Sequence, residues 1–485
     1  MAKEKSLTKN SIFYIIYNVL NILFPLVTGI YVARILLPEN IGMVESARNL
    51  AQYFIILAFL GIPTYGLREI SKNRHDKKEL NKIFSELFII NFISTIAFFS
   101  IYLAVIFSLP IYSENVALYL LTGALIIFNI FDVSWLYEGL EDFKFILVRN
   151  IIFKILSFVF LVIFVRNPSD YYIYAAITVF GTVGNYLLNI IHSRKIVKFT
   201  FKNLNFRRHL KSIIFLVVVN LAIEIYMLLD VTMLGIMCDK SRVAYYAYGM
   251  KIYRILCQVI NAFTIVVVPR LSLLFKDSKE KFNELLMKTY RVILILAVPL
   301  IIGIFAVSDF FFCLLYGDAY ISSSYVLKIL SVLLVISPTG YLLGSRVMLV
   351  TGNEKKMIIP VAVGAAVNIV LNAILIIRFQ EVGAAIASVI SEIFVMVIYL
   401  ALSKKHFKFV NMKRTLYNIA ISSAAMTVFL FAISFFENNL VRNVIAVIGA
   451  VLIYFIFMIT MRDETTFEFY KKLKSKTIGK MYAKK

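Results

Sequence analysis

Residues 31–50 read YVARILLPENIGMVESARNL and sit where two long apolar runs meet at a Pro-Glu-Asn turn, 38–40. The runs flanking it, 11–35 and 43–66, are each long enough to cross about 30 Å of hydrocarbon as a helix. Hydrocarbon rejects charge, yet the same stretch holds Arg34, Glu45 and Arg48. A helical membrane protein with charged residues kept inside its spans is the reading this contradiction invites.

Composition agrees. Of 485 residues, 61% are hydrophobic and only 16% charged, with a mean hydropathy of +0.84. A water-soluble chain of this length could not bury so much apolar surface. Outward from residues 31–50, apolar windows recur at 83–108, 116–137, 146–166, 171–193, 212–236, 243–268, 290–313, 322–348, 357–377, 382–402, 415–436 and 440–461. With the first two, they predict fourteen transmembrane helices. Strands of a membrane barrel would alternate apolar and polar residues, and these runs do not. The start, MAKEKSLTKNSIFYII, leads into an apolar run too long for a signal peptide and lacks a small-residue cleavage site. Cys238, Cys257 and Cys313 are scattered, so neither a disulfide framework nor a metal site is expected.

The net charge of +23 is an orientation signal rather than a nucleic-acid footprint. With both termini cytoplasmic, the inner segments carry 39 Lys and Arg and the outer loops five: Arg166, Lys240, Arg242, Arg378 and Arg442. That asymmetry follows the positive-inside rule. The other seven, Arg34, Arg48, Lys154, Lys251, Arg254, Lys328 and Arg346, fall within spans. An embedded cation needs a partner or a wet cavity, or must snorkel, an alternative open to Lys154, Arg346 and Arg34 near span ends.

Polar residues gather on helical faces. Glu45, Arg48 and Gln52 are spaced 3 and 4; Lys251, Arg254, Gln258 and Asn261 are spaced 3, 4, 3. Tyr14, Asn18, Asn21, Pro25 and Thr28 mark the first span, and Asn220, Glu224, Met227 and Asp230 the seventh. Such stripes either glue helices together or line a cavity.

A shift of 202 residues lays Asn18 on Asn220, Gln52 on Arg254, Arg68 on Arg270, Lys77 on Lys279 and Asn81 on Asn283. At a shift of about 210, GLEDF (139–143) lies over GNEKK (352–356) and HSRK (192–195) over LSKK (402–405). The expected architecture is all-α, with two six-helix lobes in parallel pseudo-repeat, residues 1–195 and 212–405, joined by a linker at 196–211. Two further helices within 406–461 and a basic tail at 462–485 complete it. Transporters built on such repeats place substrate at the repeat interface.

The motifs GIYVARILLPENIGMVESA, GIPTYGLREISK (61–72), WLYEGLEDFK (135–144) and VTGNEKKMIIP (350–360) resemble the polysaccharide-transport, Wzx-type oligosaccharide flippase branch of the multidrug/oligosaccharidyl-lipid/polysaccharide exporter superfamily. The resemblance covers essentially the whole chain. It implies a prokaryotic cell-membrane transporter whose spans 1, 2, 7 and 8 line a cavity. Its substrate would be a polyprenyl-diphosphate-linked oligosaccharide moved outward by alternating access. Arg48, Lys251 and Arg254 then become head-group contacts, because a guanidinium fork suits phosphate oxygens. Gln52, Gln258 and Asn261 would meet sugar hydroxyls. Asn18, Asn21 and Arg34, the last redirected by Pro25, complete the substrate set. Glu45, Glu224 and Asp230 are candidates for ion coupling or charge balance, and Glu45 is equally an ion-pair partner for Arg48. Membrane lipids and polysaccharide-assembly proteins are the expected partners, with oligomeric state left open.

An enzyme is not expected, since the outer loops are short and no Gly-Lys-Ser/Thr phosphate loop or cofactor motif is present. In WLYEGLEDFK the acids Glu138, Glu141 and Asp142 are read as holding a turn and pairing with Lys144 or Arg149. An ion-coupled drug exporter of the same superfamily is the alternative function.

Overall fold

The computed structural model describes residues 7–410 and 412–471. Lys3, Lys5, the side chains of Tyr14 and Asn220, and the tail after Lys471 lie outside the described residues. Among the described residues every regular element is helical, and twelve helices are long and apolar enough to cross a membrane. The chain divides into two compact units, Met1–Ala244 and Tyr245–Lys485.

The first unit opens with α1 (Leu7–Ile35) and α2 (Pro38–Phe59). Pro38 stands in the first turn of α2, where its missing N–H costs nothing and its fixed φ suits the helix. The span predicted at 43–66 ends early. Leu60 and Gly61 both adopt left-handed backbone (φ 48° and 70°), and a separate α3 (Ile62–Asn73) begins with a proline in its first turn. Asp76 caps α4 (Lys77–Ser108), accepting from the amides of Lys78 and Glu79 at 2.9 and 3.1 Å. Then follow a short α5 (Pro110–Ser113), α6 (Val116–Phe128), α7 (Ser134–Gly139), α8 (Phe143–Phe164) and α9 (Tyr171–Ser193).

Two of the sequence motifs pack on each other. Trp135 of α7 is 2% exposed, with its ring centroid 5.7 Å from that of Phe84 on α4. Gly66 of α3 lets it in: a Cβ there would lie 2.7 Å from the indole. Ser71 donates to the Gly139 carbonyl at 3.1 Å. Glu141 pairs with Arg74 at 3.3 Å, rather than with the expected Lys144 or Arg149. Arg149 instead turns into the interior, 5% exposed and 3.5 Å from Ser134 Oγ. WLYEGLEDFK is thus one wall of a packed plate.

The connection after α9 runs back over α4. Asn81 Oδ1 accepts from the Lys198 amide at 2.9 Å and Ser85 Oγ from the Thr200 amide at 2.9 Å. The chain then enters α10 (Arg207–Met237), which packs on α2. The sequence reading closes the first lobe at residue 195 and gives the helix after 212 to the second. In the structure that helix belongs to the first unit, since its polar seam is made with α2. Asn49 Nδ2 donates to Thr232 Oγ1 at 2.7 Å, and the Tyr53 hydroxyl lies 2.9 Å from the same oxygen.

The second unit takes up the chain within α11 (Lys240–Asp277) and continues through α12 (Lys279–Tyr316), α13 (Ile321–Ser331), α14 (Leu333–Thr339) and α15 (Val347–Val350), with a π-helical turn over Gly340–Arg346. Next comes α16 (Ile358–Ser403), which holds two predicted spans, 357–377 and 382–402. Non-helical Gln380 (φ 50°, ψ −126°) folds it back, so that the position of a Gly364 Cβ faces Val395 and Tyr399 donates to the Met357 carbonyl at 3.4 Å. The last long helices, α17 (Met412–Ser434) and α18 (Leu440–Thr460), pack on each other and on α12.

Local geometry repeats between the units. Ser278 caps α12 as Asp76 caps α4. Asn283 Oδ1 accepts from the Lys408 amide at 2.8 Å, matching Asn81 and Lys198. Glu141 (φ 56°) and Gly352 (φ 71°) each end a helix in left-handed backbone, and the next amide bonds five residues back, Asp142 to Tyr137 and Asn353 to Met348, both at 2.8 Å. That equates Glu141 with Gly352, two residues off the motif alignment that placed Gly139 there.

Candidate functional site

On α2 the two polar lines go to different places. Asn49 and Tyr53 are spent on the seam with α10, the glue expected between membrane helices. Glu45, Arg48 and Gln52 stand on another face and stay outside that seam. Arg48 Nη1 lies 3.2 Å from Glu45 Oε1, with 43% of the arginine side chain and 28% of the glutamate accessible. Gln52 is exposed. The pair is only partly covered by the protein.

In the same unit Asn21 is already engaged. The Lys154 ammonium of α8 donates to Asn21 Oδ1 at 2.7 Å and to the Leu20 carbonyl at 2.9 Å. Lys154 therefore does not snorkel; it ties α8 to α1 one turn before Pro25. Asn18 is half-buried, Arg34 is exposed in the last turn of α1, Glu224 is half-buried and Asp230 is buried at 6%.

On α11 the predicted stripe divides. Arg254 and Gln258 are exposed, and Lys251 sits 5.4 Å from the Tyr248 ring centroid. Asn261 turns to another face, donating to Cys257 Sγ at 3.4 Å. Buried Tyr253 on that face reaches Ser337 Oγ at 3.2 Å, and Ser337 donates to Glu392 Oε2 at 3.1 Å. Lys328 is paired with Asp309 at 2.6 Å. Glu392 and Asp309 lie off the polar stripes of the four spans from which the sequence reading takes its candidates. A carboxylate at mid-span is as costly as a cation, and counting acids in 290–313 and 382–402 would have found both.

The second unit also carries an apolar groove of about 450 Å³ between α12, α17 and α18, lined among others by Leu296, Phe311, Met426, Leu430, Ala450 and Tyr454. No group of three or more metal-ligating side chains occurs among the described residues.

Helices this long and apolar define a multi-pass membrane protein. The family model for polysaccharide biosynthesis protein matches residues 7–275, and the chain belongs to that family. It is 24% identical over 393 residues to the "Putative O-antigen transporter" of Escherichia coli (strain K12), covering 80% of this chain and 94% of the relative. Over 167 residues it is 25% identical to the "Probable low-salt glycan biosynthesis flippase" of Haloferax volcanii, covering 34% of this chain and 35% of that one. Among solved structures, lipid II flippase MurJ in an inward closed conformation superposes with a TM-score of 0.70 at 16% identity, covering 96% of this chain and 99% of that one. An inward-facing multidrug resistance MATE family transporter of the MOP superfamily gives 0.63 at 13%, covering 81% and 97%. The family match agrees with the polysaccharide-transport reading of the motifs, and the two solved structures share the fold.

Proposed function

We propose that this protein flips a polyprenyl-diphosphate-linked oligosaccharide from the inner to the outer leaflet of a prokaryotic cell membrane by alternating access, with both termini cytoplasmic. The names of the two relatives and the family match support lipid-linked glycan transport. The observation that carries the site assignment is the freedom of the Glu45–Arg48–Gln52 face from the α2–α10 seam. Arg48 contacts the diphosphate, exchanging Glu45 for phosphate oxygens, and Lys251 and Arg254 add cationic contacts from α11. Gln52 and Gln258 meet sugar hydroxyls, whereas Asn21 and Asn261 are structural in this state, held by Lys154 and Cys257. The apolar groove between α12, α17 and α18 suits the polyprenyl tail. Exposed cations favour an anionic cargo over the cationic drugs of the alternative reading.

Glycan export in a strain lacking the native gene tests this. Arg48→Ala should cut export by about tenfold or more, the worth of a charge-assisted contact. Arg48→Lys should recover it only partly, because an ammonium cannot fork. The double variant Glu45→Gln/Arg48→Gln decides the role of Arg48. If the arginine merely neutralises Glu45, export returns; if it holds phosphate, export stays low. Restored export in that double variant refutes the head-group assignment.

A further inference from the structure

At the start of α12, the second unit holds a pocket of about 650 Å³, lined mainly by charged residues, that the transport reading does not use. Its walls are the first turns of α12, with Lys279 and Arg291, and the connection after α16, with Lys404, Lys405 and Lys408. Glu280 and Glu284 share the α12 wall, so, with Arg291 paired to Glu464, four lysines stand against two acids. The connection is fixed rather than loose. Asn283 bonds the Lys408 backbone twice, donating to its carbonyl at 2.9 Å and accepting from its amide at 2.8 Å. Arg291 is 5% exposed; its Nη1 is paired with Glu464, but its buried Nε has no partner among the described residues. Buried His406 Nε2, on the opposite wall, has none either.

The pseudo-repeat supplies an internal control. The first unit builds the same corner from α4 and the connection after α9, with Asn81 in the place of Asn283. There the chain closes the corner itself. Glu86, 0% exposed, accepts from the Asn205 amide at 2.5 Å, from Arg208 at 2.5 and 2.9 Å, and lies 2.7 Å from His209 Nε2. In the second unit the residue 202 positions after Glu86 is Lys288, which pairs with Glu468. The sign of the corner is inverted. The connection is also shorter, since α17 begins at Met412, whereas α10 begins at Arg207, nine residues beyond Lys198. What the first unit fills with its own basic side chains, the second leaves open and basic.

We infer that this pocket is a binding site for a phosphate-bearing anion, separate from the transport site. Its depth suits a lipid headgroup. The apolar run of α12 begins at about residue 290, so Arg291 stands at the hydrocarbon boundary, while Lys279 lies about three helical turns further out at 1.5 Å per residue. Basic pockets at this level on the positive face of membrane proteins take anionic headgroups, with each lysine adding attraction. A free phosphate offers the same oxygens from the aqueous side.

Purified full-length protein in detergent is titrated with dioctanoyl phosphatidic acid, dioctanoyl phosphatidylcholine and inorganic phosphate, with binding read by native mass spectrometry. Phosphatidic acid should bind in preference to phosphatidylcholine. Lys404→Ala/Lys405→Ala should weaken it by about thirtyfold. Both lysines are exposed, so this variant should keep the parental unfolding temperature without ligand. Lys198→Ala/Lys202→Ala, on the closed corner of the first unit, should leave affinity unchanged. Inorganic phosphate binding with the same dependence on Lys404 and Lys405 would uphold the site with a soluble ligand. Equal binding of phosphatidylcholine, no binding of either anion, or an affinity indifferent to Lys404 and Lys405 would overturn it. None of these readouts depends on glycan export, so the transport reading can fail independently.

Discussion

Replacing Glu86 with alanine strands the donors that converge on it. His209 Nε2 is neutral and buried, and left unpaired it costs about 1–3 kcal/mol, whereas the amide of exposed Asn205 can turn to water and loses less. Arg208 loses less, because its side chain is 30% exposed and it keeps its pairing with Glu79. A loss of about 2–4 kcal/mol follows for the first unit. For a unit of this size, that lowers the unfolding temperature by about 10 °C. The chain carries one tryptophan, Trp135, 2% exposed in the plate that α4 helps to build, so its emission reports this unit directly. Thermal scans in detergent at one fixed rate should show the shift in Glu86→Ala. Arg208→Ala should cost less, because Glu86 keeps His209 and the Asn205 amide. A Glu86→Ala protein that unfolds within about 2 °C of the parent, with unchanged tryptophan emission, would refute the claim that this carboxylate locks the connection.

Burial holds the His209 imidazole below its ordinary pKa, against the pull of Glu86 toward the charged form, so the folded protein keeps the ring neutral. With the proton on Nε2, the ring donates to Glu86 and accepts from Tyr65 at 2.8 Å. The unfolded chain binds the extra proton first, so stability should be full above about pH 6.5 and fall below it, and His209→Asn should flatten that slope in the same tryptophan scans. Gly66→Ala puts a methyl 2.7 Å from Trp135 and should cost about 1–3 kcal/mol, relieved in part by Trp135→Phe; an unchanged unfolding temperature would contradict that packing. In intact cells, an impermeant thiol reagent should label a cysteine at exposed Glu114 but not one at exposed Asn203, and labelling at Asn203 would reverse the proposed orientation.

Membrane residence, helical class and most span positions were legible in the sequence, because lipid leaves an apolar run of twenty residues little choice but a helix. The register of the pseudo-repeat was legible around Asn81 and Asn283, kept for the same backbone clamp, but slipped by two residues at the turn that equates Glu141 with Gly352. Partners were not legible. Spacing along one helix puts residues on a face but does not say what that face meets. Asn21 and Asn49 look alike in the sequence, yet one holds Lys154 and the other Thr232. Arg48, one residue before Asn49, escapes the seam because about 100° of helix turn separates it from the face that meets α10. The boundary of the first unit likewise depended on where α10 packs, a contact between residues some 180 positions apart. Local sequence chooses the helix through its own backbone and its solvent. Which polar groups remain open to a substrate is settled by long-range packing, because each neighbouring helix takes the hydrogen bonds it can reach and leaves the rest.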